Sequence, residues 1–235
     1  MKKRLLMILL FAGCASSPVT TEKPVTTGRP AAAPKLGQKR VLWSTFYFTP
    51  LFHSKSANLY CLRDAKGSCI SGKLTLDQWC LIGLQGAGRV DNKTFTYHSA
   101  SSSHHVPCER SFLKHASFAR KTGNIKFHVS SHVEGHGNRD NPLRAYHSIA
   151  CDRRLFKFGH KIYIPAIKKT LVCEDTGGAI KGNHIDTFIG LVDLTEPENL
   201  AHKYRYAFKA VPADFKKIIK STKSGTFTAY DVLED

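Results

Sequence analysis

Residues 173–190, Cys-Glu-Asp-Thr-Gly-Gly-Ala-Ile-Lys-Gly-Asn-His-Ile-Asp-Thr-Phe-Ile-Gly, join two strand-like runs through a glycine-rich connection. A β-prone run at residues 170–173 precedes the connection, and residues 185–189 follow it with isoleucines on either side of polar positions. Three glycines supply the backbone freedom that a tight turn needs: Gly177, Gly178 and Gly182. The segment therefore predicts a strand, a tight turn and a second strand.

Two carboxylates lie near the ends of these predicted strands, on Asp175 and Asp186. If the strands are neighbours, both side chains could face one cleft and serve acid–base chemistry. An Asp before Thr-Gly-Gly is also ordinary turn chemistry, in which the carboxylate only binds nearby backbone N–H groups. Spacing alone leaves both interpretations open.

The segment 175–186 resembles the signature of the 3D domain, which is named for three aspartates. This domain occurs in MltA-type membrane-bound lytic transglycosylases and related cell-wall proteins. The resemblance continues upstream through residues 146–153 and 161–165, and it covers about residues 142–210. Short turns and few helices already favour a mainly β domain. The resemblance implies a six-stranded double-psi β-barrel with an insertion after the first strand and a few short helices.

The resemblance also implies roles for individual residues. Asp186 falls on the catalytic aspartate of the family, and Asp175 falls on its companion, which would orient the sugar or raise the pKa of Asp186 through like charge. Residues 45–48, Thr-Phe-Tyr-Phe, resemble a Thr-Gly-Tyr-Tyr-like motif whose threonine faces the cleft, with Phe46 in place of the glycine. Thr45 is therefore a predicted substrate-binding residue, with a plain strand threonine as the alternative.

Further substrate-binding residues are predicted around the same cleft. Tyr47 could stack on a sugar face, although a strand tyrosine is more often half-buried packing. The remaining candidates lie in the glycine-rich turn: Gly177, Gly178 and Lys181. Asp152, the first of the three aspartates, is interpreted as a hydrogen-bonding turn residue without a chemical role.

The N-terminus predicts export. Residues 1–13 combine a basic start with a short apolar run, as a signal peptide does, and residues 11–14, Phe-Ala-Gly-Cys, resemble a bacterial lipobox. Cys14 is therefore predicted to carry lipid, with an ordinary cleaved signal as the alternative. Because no Asp follows Cys14, lipoprotein sorting by resemblance favours the periplasmic face of the outer membrane; secretion is the alternative location.

The domain boundaries follow from composition. Residues 14–40 are the predicted lipid anchor and a Pro- and Thr-rich linker, which repeats Pro-Val-Thr-Thr. Residues 41–235 are the predicted barrel domain, with its insertion at about residues 51–140. That insertion is shorter than the second domain of MltA-type enzymes.

Six cysteines remain after Cys14, which suits up to three disulfides in an exported chain: Cys61, Cys69, Cys80, Cys108, Cys151 and Cys173. Cys151 and Cys173 end strand-like runs within the 3D-like region and are the predicted pair. Cys61 and Cys69 could close a short turn. A zinc site is the alternative, but the chain has no CxxC pair.

The predicted partner is peptidoglycan. The formal net charge of the chain is +17, and loss of the three basic residues of the signal peptide leaves +14. Such a charge commonly marks nucleic-acid binding, which export from the cytoplasm argues against. Outside the cytoplasm, the anionic partners are the carboxylates of peptidoglycan or lipopolysaccharide.

No cofactor and no metal are predicted. His128, His132 and His136 recur every four residues, which would align them on a helix, but the glycines and serines among them are not typical of one. The pair His184 and Asp186 is likewise too little for a zinc peptidase. The predicted function is lytic transglycosylation of peptidoglycan, with a non-catalytic, expansin-like glycan binder as the alternative.

Several elements outside the signature are also predicted from local patterns. A first strand covers residues 41–48, and Thr75 with Gln78 forms a capping-box pattern at the start of a short helix. The remaining predictions are strands at residues 94–98, 125–129, 161–164 and 204–208, a helix start at 195–198, and a short basic helix at 212–220.

Overall fold

The computed structural model describes residues 34–114, 116–137, 140–219 and 225–233. The signal peptide, Cys14 and most of the linker lie outside the described residues. Pro34 and the residues after it belong to one folded unit. Within the described part, no helix is long and apolar enough to cross a membrane.

The described residues form nine strands and four short α-helices. The strands are β1 Leu36–Phe52, β2 Ala87–Val90, β3 Lys93–Ala100, β4 Ile125–Ser130, β5 Ser148–Ala150, β6 Lys161–Ile164, β7 Lys169–Asp175, β8 His184–Asp193 and β9 Phe227–Val232. The helices are α1 Leu76–Gln85, α2 Ala119–Thr122, α3 Pro197–Ala201 and α4 Lys203–Lys209. Short 3-10 turns cover Ser102–His104, Cys108–Arg110 and Phe215–Lys217.

Six strands form a closed ring of pairings in the order β1-β8-β5-β7-β6-β9, with β9 pairing back onto β1. The β1–β8 and β5–β7 pairs are parallel, and the other pairs in the ring are antiparallel. The prediction of a mainly β domain with a few short helices is confirmed. The double-psi crossover remains a prediction.

The residues between β1 and β5 add three strands to one side of this ring. β2 pairs in parallel with the end of β1, and β3 and β4 continue the sheet as antiparallel neighbours. The predicted strands at residues 94–98 and 125–129 are thereby confirmed, as β3 and β4.

Helix α1 begins where the sequence pattern places it. The Thr75 hydroxyl accepts a hydrogen bond from the Gln78 N–H, and the Gln78 side chain accepts one from the Thr75 N–H. This capping box satisfies two N–H groups that the first turn of a helix leaves free. Gly86 ends the helix at a φ of 80°, a conformation that favours glycine.

The first and last strands differ from the sequence prediction. β1 begins at Leu36, five residues before the predicted start of the domain, because Leu36 and Lys39 pair with β9. β9 itself lies in a tail that carries no motif. It forms a strand because β1 and β6 offer it a partner on each side, which is a long-range effect that a local pattern does not reveal.

The predicted strand at residues 204–208 is wrong, because Lys203–Lys209 is helix α4. Tyr204 and Phe208 are four residues apart and therefore share one helix face, which packs on the ring of Phe46. Tertiary packing thus overrides the β propensity of the aromatic residues. The basic helix predicted at 212–220 is reduced to the turn Phe215–Lys217, and the helix start at 195–198 corresponds to α3.

Three disulfides link the six predicted cysteines, and the predicted pair Cys151–Cys173 is confirmed. Cys61 pairs with Cys69 across a short turn, as predicted. The third disulfide, Cys80–Cys108, ties α1 to the turn at Cys108–Arg110. Cys151 follows β5 and Cys173 lies on β7, so their disulfide crosslinks two strands of the ring next to the candidate site.

Candidate functional site

The parallel pairing of β1 and β8 positions the first part of the site. Thr45 is the register partner of Asp186, and its hydroxyl donates to Asp186 Oδ1 across 2.8 Å. Thr45 and Asp186 are therefore brought together by backbone pairing, although 141 positions separate them in the sequence.

Strand β5 lies between the two candidate aspartates. Ala150 of β5 pairs with Asp175 of β7 on one side and with Asp186 of β8 on the other. Because neighbouring strands are about 4.8 Å apart, the two aspartate backbones flank Ala150 at roughly 10 Å from each other. The structure thus brings both predicted carboxylates to one place on the ring.

Burial sets the protonation of both carboxylates. It raises the pKa of Asp186 to about 7, with the hydrogen bond from Thr45 acting in the opposite direction and the negative charge of Asp175 adding to the rise. Burial likewise raises the pKa of Asp175 to about 6, opposed by the hydrogen bond from the Thr176 N–H and by the nearby Tyr47 hydroxyl. Near neutral pH, one site therefore holds a carboxyl able to donate a proton beside a largely ionised carboxylate.

The ring of Tyr47 is packed rather than presented to a ligand. It is 8% exposed and lies 5.2 Å from the ring of Phe188, centroid to centroid, so its face is not available for sugar stacking. Its hydroxyl is buried without a partner of good hydrogen-bond geometry, yet it is close enough to Asp175 to lower the pKa of that carboxyl. The part of Tyr47 that reaches the site is its hydroxyl.

Asp152 holds the glycine-rich turn in place. Its carboxylate accepts hydrogen bonds from the Arg154 guanidinium and from the Gly182 N–H, the latter at 2.7 Å. The side-chain hydrogen bonds from Arg154, with that of the Gly182 N–H, hold the pKa of Asp152 well below its usual range. Asp152 is therefore a hydrogen-bonding residue of the turn, as the sequence predicts.

His184 is a further residue of the candidate site, to which no role was assigned from the sequence. Its Nε2 lies 2.8 Å from Thr45 Oγ1, and its ring stacks on Trp43 at a centroid distance of 3.6 Å and an interplanar angle of 5°. Because the Thr45 hydroxyl proton is directed to Asp186, His184 Nε2–H is the matching donor to Thr45. The sequence does contain a pattern that indicates this contact. His184 and Asp186 are two positions apart on one predicted strand, so their side chains share a face.

The other predicted residues of the turn lie at its surface. Gly178 and Lys181 are exposed, and a Cβ at Gly177 would lie 2.8 Å from Ile180 Cγ1. Gly182 has a φ of +61°, which favours glycine. Substrate binding by Gly177, Gly178 and Lys181 remains a prediction.

Two other segments complete the surroundings of the aspartates. A Cβ at Gly137 would clash with the Glu174 carbonyl oxygen and would lie 3.1 Å from Asp175 Cβ, so the loop after β4 packs directly on the strand that carries Asp175. Helix α4 contributes Tyr204, whose pKa burial raises to about 12, with a contribution from the charge of Asp186. The insertion and α4 thus both border the site.

Comparison with known proteins matches this architecture. Residues 147–203 match the family model of the 3D domain. The fold is similar to Escherichia coli MltA with bound chitohexaose, with a TM-score of 0.53, 15% identity, and coverage of 82% of this chain and 72% of that chain. It is also similar to a membrane-bound lytic murein transglycosylase from Agrobacterium tumefaciens, with a TM-score of 0.49, 14% identity, and coverage of 80% and 73%. A comparison with curated protein sequences gives no match.

Proposed function

From a 3D domain held in an MltA-like fold, we propose that this chain is a peptidoglycan lytic transglycosylase. It cleaves the MurNAc–GlcNAc glycosidic bond and forms a 1,6-anhydro-MurNAc end. One observation carries the proposal: Asp186 is a largely buried carboxyl with a pKa of about 7, hydrogen-bonded in a fixed orientation by Thr45.

Asp186 acts first as the acid and then as the base. In the first step its proton passes to the glycosidic oxygen, and the bond from that oxygen to the MurNAc anomeric carbon breaks. In the second step the resulting carboxylate takes the proton from the sugar's own 6-hydroxyl, whose oxygen bonds to the same carbon and closes the ring. Since no water attacks, one acid–base group is sufficient, unlike in hydrolytic glycosidases with two carboxylates.

Asp175 has a supporting role in this scheme. Its pKa of about 6 leaves it mostly ionised at neutral pH, where its charge helps to keep Asp186 protonated. The same charge can stabilise the positive character that develops at the anomeric carbon. The buried hydroxyl of Tyr47 lies beside Asp175 and lowers its pKa, which favours the ionised form.

Thr45 and His184 fix the direction in which the Asp186 carboxyl points. The Thr45 hydroxyl donates to Asp186 Oδ1 and is held in turn by His184, which Trp43 clamps from one side. This leaves Oδ2 of Asp186 as the oxygen that exchanges a proton with the sugar. Both are positioning residues.

The cellular setting extends the proposal. Lipid on Cys14 and the linker that follows it would hold the domain at the periplasmic face of the outer membrane, with glycan strands as the partner. The bound chitohexaose of the E. coli MltA structure supports a glycan ligand here, and the net charge of +14 that remains after loss of the three basic residues of the signal peptide suits an anionic wall polymer.

The test is mass spectrometry of the products released from purified peptidoglycan sacculi. We expect muropeptides with 1,6-anhydro ends. Reducing ends would show hydrolysis instead. Sacculus binding with no soluble product would contradict the proposal and favour the non-catalytic glycan binder.

The pH dependence of kcat/KM follows from the protonation of Asp186. Since the acid must be protonated and its pKa is raised to about 7, activity is present below pH 7. It falls about tenfold per pH unit above that value. A rate that rises through pH 8 would contradict the assignment.

Two variants should shift, in opposite directions, the alkaline limb of the pH profile, which is the range above about pH 7 where kcat/KM falls. Asp175→Asn removes the charge that raises the pKa of Asp186, so the limb moves to lower pH. Thr45→Val removes the hydrogen bond that lowers the pKa of Asp186, so the limb moves to higher pH. If the alkaline limb shifted in the same direction in both variants, a group other than Asp186 would control the pH profile.

A further inference from the structure

Two of the three regularly spaced histidines, His128 and His136, lie in contact although they are not on a helix. His128 lies on β4 and His136 lies in the loop that follows, and their Nε2 atoms are 2.8 Å apart. Asp140, farther along the same loop, places Oδ1 3.2 Å from His136 Nε2. One nitrogen from each histidine and one oxygen from Asp140 therefore converge within 4.8 Å of one another.

Neighbouring groups hold the buried histidine in a ligand-like orientation. Ser130 Oγ lies 3.0 Å from His136 Nδ1 and accepts a hydrogen bond from the His132 N–H. When Nδ1 of His136 carries the proton, it donates to Ser130, and the Nε2 lone pair faces His128. In metal-binding histidines, the ring nitrogen that does not bind the metal donates such a hydrogen bond, which fixes the tautomer and the orientation of the ring.

The cluster also leaves polar atoms without partners. Nδ1 of His128 and Oγ1 of Thr96, its cross-strand neighbour on β3, are buried and make no hydrogen bond in the described part of the chain. Buried polar groups in folded proteins are almost always satisfied. A group that is bound at this place would satisfy them directly or through water.

We propose that His128 Nε2, His136 Nε2 and an Asp140 carboxylate oxygen bind a divalent transition-metal ion, with Zn²⁺ as the best match. Two imidazoles and one carboxylate are a ligand set of zinc sites that keep one position for water. Ligands at about 2.0–2.1 Å in tetrahedral geometry lie roughly 3.3 Å apart. The Asp140–His136 distance matches this separation, and the two imidazoles need to separate by roughly 0.5 Å to reach it.

A metal at this position would hold in place the loop that borders Asp175. His136 is followed by Gly137, which packs against the backbone of Glu174 and the side chain of Asp175. A metal held by β4 and by two residues of this loop would crosslink the loop to the sheet. It would thereby fix the wall that borders Asp175. This second step rests on the proposed function, whereas metal binding does not.

Metal binding is tested with the full chain, purified without a histidine tag and stripped of metal. We expect it to take up one Zn²⁺ per chain in a titration against a chromophoric chelator. We also expect hydrogen exchange in residues 131–137 and 140–143 to slow when zinc is added. No uptake, or uptake without protection of this loop, would overturn the proposal.

Variants locate the site. His136→Gln should abolish stoichiometric zinc uptake, and Asp140→Asn should weaken it by at least about tenfold. The Asp140 side chain is 86% exposed, so its replacement leaves the fold intact. His98→Gln is the matched control, because the His98 ring lies 5.6 Å from that of His128 but supplies none of the three ligand atoms. An unchanged zinc affinity in Asp140→Asn, or an equal loss of zinc uptake in His98→Gln, would contradict this assignment.

Failure of the metal proposal and failure of the proposed function are distinguishable. Zinc uptake and hydrogen exchange are measured without substrate, and release of anhydro-muropeptides is measured without added zinc. Each result therefore stands whatever the outcome of the other.

Discussion

Asp186→Asn is expected to reduce the release of anhydro-muropeptides from sacculi by at least about 10³-fold. The substitution keeps the size of the side chain but removes the proton that is given to the glycosidic oxygen and the base that is needed in the second step. General acid–base catalysis typically contributes 10²–10⁴-fold, and here the same group serves twice. The hydrogen bond from Thr45 survives, because an amide oxygen accepts as a carboxylate does.

Asp193→Asn is the matched control for this variant. Asp193 is the last residue of the same strand, is exposed, and accepts a hydrogen bond from the Thr195 N–H that asparagine can also accept. We expect unchanged activity in Asp193→Asn and retained sacculus binding in both variants. Product release by Asp186→Asn at the native rate would remove Asp186 from the mechanism.

Removal of the Cys151–Cys173 disulfide is expected to lower the free energy of unfolding by about 3.4 kcal/mol. The estimate follows from the 22 positions that separate the two cysteines, because the crosslink restricts the unfolded chain. Both cysteines are fully buried, so the double alanine variant replaces them without adding a polar group. Urea unfolding under non-reducing conditions measures the change.

The other two disulfides provide an internal scale for this prediction. Cys61 and Cys69 are only 8 positions apart, so their removal should cost about 2.5 kcal/mol. Removal of the Cys80–Cys108 disulfide, whose cysteines are 28 positions apart, should lower the free energy of unfolding by about 3.6 kcal/mol. Activity should fall most for Cys151–Cys173, since that bond links β5 to the strand that carries Asp175. A reversed order of stability losses would show that the lost folded-state contacts outweigh the chain entropy.

Local patterns were sufficient wherever neighbouring residues decide the structure. The capping box at Thr75 and Gln78 depends on two side chains three positions apart, and the sequence showed both. The glycine-rich turn and its flanking strands are similarly local. The pairing of Cys151 with Cys173 was predicted because each ends a strand-like run that such patterns reveal.

Contacts between distant residues could not be derived in this way. Ring closure depends on β9, which has no motif and forms because β1 and β6 provide its partners. Helix α4 depends on the aromatic residue Phe46, more than 150 positions earlier. In both cases the free energy of packing, rather than local propensity, decides the secondary structure.

In the candidate site, too, some features were predicted from the sequence and others depend on contacts between distant residues. Resemblance to a family connected Thr45 with Asp186, and backbone register now explains that contact. The shifted pKa values depend on burial, which no local pattern contains. The spacing of His128, His132 and His136 would align them only on a helix, and their segment is not helical in character; a strand and a loop instead bring His128 and His136 together.

The register of β8 on β1 also governs which changes of chain length this protein can accept. Successive side chains on a strand point to opposite faces, so deletion of Ile185 would place Asp186 opposite Ser44, which is fully buried. The carboxyl would then face the interior. By contrast, an added side chain at Gly178 would meet no atom within 4 Å, so the turn can vary where the strand cannot. Insertions and deletions in descendants of this sequence should therefore collect in the turn, while the number of residues from His184 to Asp186 stays constant.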